Sequence, residues 1–75
     1  MQTIFKRHQA VRLLRDPNPE YIEYYSDNLI PIKKGMKGRI NIILPNGQYH
    51  VEIQDPKGEI VAYAAMGEED IEAIA

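Results

Sequence analysis

Between Ile32 and Met66 two turn signals separate three apolar runs, the first two of which alternate with a period of two. Ile40, Ile42 and Leu44 take one side of the first run, and Arg39, Asn41 and Ile43 the other. After Pro45-Asn46-Gly47 the alternation resumes, with Tyr49, Val51 and Ile53 set against His50, Glu52 and Gln54. Successive side chains of a strand point to opposite faces, so each run predicts a half-buried strand, with Val51 and Ile53 pointing inward. Asp55-Pro56-Lys57-Gly58 supplies a hairpin turn, with proline preset at its second position and glycine at its fourth. Ile60 to Met66 is apolar on both faces and predicts a third strand, which Gly67 ends. Glu68-Glu69-Asp70 predicts a 3₁₀ corner, and Ile71 to Ile74 a short closing strand. Gly35 and Gly38 permit backbone conformations barred to other residues, and Gly38 is expected to start the first strand of this meander.

Upstream the pattern is weaker. Val11 and Leu13 share a face opposite Arg12, which suits a strand; a helix is the competitor, with Ile4, Val11 and Leu14 near one stripe. Asp16-Pro17 ends either element, because the residue before proline is pushed out of the helical region. Residues 1–7 have no clear period and are expected to fray. Asn18 suits the cap of a short helix with Pro19 at its first position, which would place Tyr21, Tyr24 and Tyr25 on one face; an ordered loop over residues 19–27 is the alternative. Leu29-Ile30-Pro31-Ile32 returns the chain to the core as an extended link. The sum is an all-β domain spanning residues 1–75. Its expected plan is a small five-stranded SH3-like barrel with a long first loop or short helix and a 3₁₀ corner before the last strand, because closure removes exposed edges.

Composition narrows the classes. A chain of 75 residues is one domain, and with no cysteine it has neither disulfide nor thiolate zinc to reinforce it. No run of about 18 apolar residues suits a membrane helix. The opening MQTIFKRHQ has no apolar core of a signal peptide, so a cytoplasmic location is expected. Charge is uneven: up to Arg39 eight Lys and Arg stand against four acids, and beyond it Lys57 alone stands against seven. Such asymmetry marks a basic and an acidic face, or else two halves that interleave once folded; the second is expected.

Candidate chemistry is sparse. The chain has no GxGxxG, P-loop or nucleophile elbow. Ser26 and Thr3 are its only hydroxyl residues of their kinds and have no base nearby in sequence. His8 and His50 alone make a poor metal site, and Glu52, Asp55 and Glu68 to Asp70 read as solvated turn acids. The chain is therefore read as non-enzymatic, with no catalytic, cofactor-binding or metal-ligating residue. Binding fits better. Tyr21, Tyr24, Tyr25 and Tyr49 are the candidate contacts for a protein partner, since a tyrosine ring is apolar and its tip tolerates water. The alternative is a nucleic-acid-binding barrel using Lys33, Lys34, Lys37 and Arg39, with tyrosines as stacking platforms. Against it stand a pI of 5.6 and the acids Glu20, Glu23 and Asp27 among the tyrosines. Self-association is a third reading: Ile60 to Met66 together with Ile43 offers more apolar surface than so small a core hides, and a symmetric dimer would bury it.

Three stretches resemble a small bacterial family, domain of unknown function 4926. They are Val11-Arg12-Leu13-Leu14 closing the first strand, Lys33-Lys34-Gly35-Met36-Lys37-Gly38-Arg39-Ile40 as a K-K-G-x-x-G turn into a strand, and Tyr49 through Ala62 before the acidic close at Glu69 to Ile71. The Lys33–Ile40 run is also similar to the KOW motif of ribosomal and transcription-factor barrels. The family resemblance implies an SH3-like fold in a bacterial cytoplasm, among mobile and accessory gene sets. It implies no established activity. Its neighbourhood of toxin-like genes implies an antitoxin-like or partner-binding role.

Overall fold

The computed structural model describes residues 4–25 and 30–74. Six strands form: β1 (Ala10–Leu13), β2 (Ile22–Tyr24), β3 (Lys37–Ile43), β4 (Tyr49–Gln54), β5 (Ile60–Met66) and β6 (Ile71–Ala73). They make one antiparallel sheet in the order β2-β5-β4-β3-β1-β6, with β2 and β6 at its two edges. The all-β expectation holds, but among the described residues the strands number six rather than five and no hydrogen-bonded pairing joins β2 to β6.

The additional strand comes from the segment expected to be a helix or loop. Asn18 does cap a turn there, accepting from the Glu20 N–H through Oδ1 at 3.0 Å, with Pro19 at its first position. That turn is a single 3₁₀ turn, Pro19–Tyr21. Ile22-Glu23-Tyr24 then pairs with β5, placing Ile22 opposite Ala64 and Glu23 opposite Tyr63. Two helical turns gain little alone, whereas an extended segment completes a row of backbone hydrogen bonds along β5. Tyr21, Tyr24 and Tyr25 therefore do not share one helical face. Asp27 and Leu29 lie outside the described residues.

The two meander hairpins share one construction. Leu44 N–H donates to Gln48 O and Gly47 N–H to Leu44 O; Asp55 N–H donates to Glu59 O and Gly58 N–H to Asp55 O. Gly47 and Gly58 each sit at φ 87°, the left-handed position that closes such a loop. Asp55 Oδ1 accepts from the N–H groups of both Lys57 and Glu59, so this carboxylate is occupied by its own turn.

The core lies on the inner face of the sheet. Val51 and Ile53 are fully buried, as their alternation predicts, and Val11, Leu13, Ile40 and Ile71 pack with them. Two expectations fail here. Phe5, within the segment expected to fray, is 6% exposed and sets its ring edge-on to Tyr49, with centroids 5.3 Å apart. Ile42 does not continue the inward row of Ile40. The register shifts between them, with Ile40 opposite Val51 and Ile42 opposite His50, so Asn41 is the extra residue of a bulge. Ile42 and Ile43 are both exposed as a result.

Candidate binding surfaces

Two surfaces gather chemistry-bearing side chains. The first is a groove of about 290 Å³ between the segment after β1, the β3–β4 turn and the 3₁₀ corner Glu68–Asp70. Pro17, Tyr21 and Gln48 line it, and Ala65 and Met66 contribute from β5. Arg15 and Asp70 also line it and form an ion pair at 3.4 Å, the one such pair among the described residues. Asp16 lines the groove as well, and its Oδ1 accepts from Lys34 N–H at 2.7 Å. Glu20, Glu68 and Glu69 belong to the two 3₁₀ turns that contribute Tyr21 and Asp70, but they do not themselves line the groove.

The second surface is the outer face of the sheet. On β4 the outward residues are His50, Glu52 and Gln54, and on β5 Tyr63 and Ala65 lie between the buried Ala62, Ala64 and Met66. The rings of His50 and Tyr63 are stacked, with centroids 5.2 Å apart and planes within 9°. Tyr25, just past β2, lies 6.2 Å from Tyr63 at a tilt. The bulge residue Asn41 donates through Nδ2 to His50 Nδ1 at 3.0 Å and holds the imidazole in place. Burial, then the carboxylate of Glu52 and the neighbouring Tyr25, raise the Tyr63 phenol above its ordinary value.

The tyrosines expected to bind a partner are dispersed. Tyr21 is 53% exposed and lines the groove; Tyr25 is 64% exposed and belongs to the outer face; Tyr24 is exposed opposite Ala62 on the edge strand β2. Tyr49 is 1% exposed, a core residue whose hydroxyl accepts from Phe5 N–H, and it cannot touch a partner. Its inward place in the Tyr49-Val51-Ile53 alternation was the signal that should have excluded it.

The basic candidates are also split. Lys33 and Lys34 are exposed in the turn before β3, whereas Lys37 and Arg39 project from β3 itself. Sequence reasoning missed Arg12, which stands directly opposite Lys37 on β1. It also missed Tyr63 and His50 as a ring pair. Among the described residues no three His, Cys, Asp or Glu side chains gather to hold a metal ion, and no helix is long and apolar enough to cross a membrane. Compared with family models, curated proteins and solved structures, the chain finds no match.

Proposed function

We propose that this chain is a non-enzymatic, cytoplasmic interaction module on an SH3-like barrel plan, and that it docks an extended segment of a protein partner in the Tyr21–Met66 groove. The strand order, with a long connection after β1 and a 3₁₀ corner before the last strand, supports the plan. Kinship with domain of unknown function 4926, and the antitoxin-like or accessory role it suggests, are part of the same proposal. One observation carries the binding reading: exposed Tyr21 and the nearly buried Met66 line a groove to which Asp16 and Asp70 also contribute. An apolar side chain fits against Tyr21 and Met66, and a neighbouring Lys or Arg of the partner meets Asp16 and Asp70. The experiment is NMR titration with extended peptides carrying an apolar residue beside Lys or Arg. Shifts concentrated at Tyr21, Gln48, Met66 and Asp70, with Tyr21→Ala weakening binding at least tenfold without changing the melting temperature, support it. Shifts elsewhere, or none at millimolar peptide, overturn it.

A second reading, a symmetric homodimer, is favoured by Ile42 and Ile43, both exposed at the end of β3, with Ile42 opposite outward His50 and Ile43 opposite inward Tyr49. Light scattering behind a sizing column decides it. A dimer that Ile42→Ser with Ile43→Ser converts to monomer supports the reading, and a wild-type monomer at high micromolar concentration removes it.

A further inference from the structure

Arg12, Lys37 and Arg39 all project from the outer face of β1 and β3, because Val11, Leu13, Gly38 and Ile40 between them are buried. The register sets their spacing. Arg12 faces Lys37 across one strand spacing, roughly 4.8 Å, and Arg39 follows two residues along β3, roughly 6.8 Å on. Like charges directly opposite one another destabilise a sheet. Glu72 and Glu52 face Arg12 and Arg39 across a strand without a direct ion pair, and Lys37, set between Arg12 and Gln54, has no acid opposite it among the described residues. On the same face, one and two strands further on, come the stacked rings of His50 and Tyr63, with Tyr25 beyond.

We propose that this outer face binds single-stranded nucleic acid, with phosphates over Arg12, Lys37 and Arg39 and bases over His50, Tyr63 and Tyr25. Cations alone would take any polyanion, and rings alone any apolar segment. A row of cations running beside a strip of aromatic rings matches a polymer with an anionic backbone on one side and flat bases on the other. The cation spacing along β3 is comparable to the step between successive phosphates of an extended strand. A duplex keeps its bases stacked inside and offers the rings nothing. Glu52 and Glu23 flank Tyr63 in register on its two sides. They repel phosphates from the aromatic strip, which orients the backbone toward β1 and β3, and their carboxylates accept from exocyclic base amines as Glu does in cytosine recognition. This face shares only Ala65 with the Tyr21 groove, and neither test alters that residue, so the two proposals fail independently.

The test is fluorescence anisotropy with a labelled single-stranded oligodeoxynucleotide of mixed sequence, with the same sequence as duplex and with polyglutamate as comparisons. Single strand binds at low salt, and its affinity falls with salt with a log–log slope of about −2, the value for three phosphates. Replacing Arg12, Lys37 and Arg39 together with Ala weakens binding at least tenfold and flattens that slope. Tyr63→Leu keeps apolar cover but removes the stacking ring; it weakens binding by roughly 5- to 100-fold and leaves the slope unchanged. Should that variant melt early, Tyr25→Ala, at an exposed ring, is the substitute and weakens binding in the same direction. Tyr21→Ala has no effect. Absence of binding at low salt, equal binding of duplex or polyglutamate, or full affinity in a folded ring variant each overturns the proposal.

Discussion

Gly38 offers the sharpest test of the sheet geometry. It is the second residue of β3, paired with Val11 on β1 and Ile53 on β4, and it is buried. Its φ is not positive, so conformational freedom does not explain it. The explanation is room: a Cβ built on Gly38 would collide with the backbone carbonyl oxygen of Glu52 and lie 3.0 Å from Val51 Cγ1. A side chain could swing aside, but a carbonyl within the β3–β4 ladder moves only if the pairing moves. Overpacking usually costs about 1–3 kcal/mol, and a backbone obstacle puts Gly38→Ala near the top of that range, about 2–3 kcal/mol. A domain of this size holds about 4–11 kcal/mol of stability, so the loss is a large fraction. The melting temperature should fall by roughly 10–20 °C. Circular dichroism melts of wild type and Gly38→Ala measure this directly. Adding Val51→Ala should bring no rescue, because it removes the methyl and leaves the carbonyl. Gly35→Ala is the contrast: Gly35 has φ 91° and open space around it, so only backbone strain, about 1–2 kcal/mol, is at stake. A Gly38→Ala protein melting within about 3 °C of wild type would refute the close approach of β3 and β4.

Other outcomes follow from the same packing. Phe5→Ala should destabilise by about 3 kcal/mol in urea unfolding, because the ring is buried edge-on to Tyr49; no change would return residues 1–7 to a frayed tail. Tyr49→Phe should cost less than about 1 kcal/mol, since it keeps the ring and loses only a 3.4 Å hydrogen bond. Ultraviolet titration should find Tyr63 ionising above the ordinary tyrosine value, and Glu52→Gln should lower it; no movement on that substitution would contradict their proximity. The sign for stability follows: the unfolded chain releases this proton first, so the contribution of Tyr63 is complete below the unfolded pKa near 10 and is lost as pH rises through the folded value.

Much of the fold was written in local chemistry. The β3–β4–β5 meander, both turns, the 3₁₀ corner and the short last strand are legible because alternation and turn residues act over a few positions. What failed was set at a distance. Ile22-Glu23-Tyr24 carries too little pattern to declare a strand, and becomes one because β5 presents it an unpaired row of backbone groups. Phe5 looks unanchored until Tyr49, far along the chain, supplies its partner. The bulge at Asn41 leaves no mark in the alternation of Ile40, Ile42 and Leu44; it appears only when β3 is laid against β4.

The candidate surfaces were less legible, for a related reason. A surface is assembled by register, and register is the least local property of a sheet. Arg12 and Lys37 are neighbours because β1 lies against β3, and Lys33 and Lys34, closer to Lys37 in sequence, belong to a turn instead. The uneven charge of the two halves of the chain likewise meets across strands, Arg39 opposite Glu52 and Arg12 opposite Glu72. Tyr63 was hidden in a strand apolar on both faces. Yet its place between Ala62 and Ala64 already put it on the side opposite those small residues. A large ring on the outer face of a strand beside inward Ala62 and Ala64 packs, among the described residues, against rings from neighbouring chain segments. That is why it lies flat against His50, its diagonal neighbour across the β4–β5 pair.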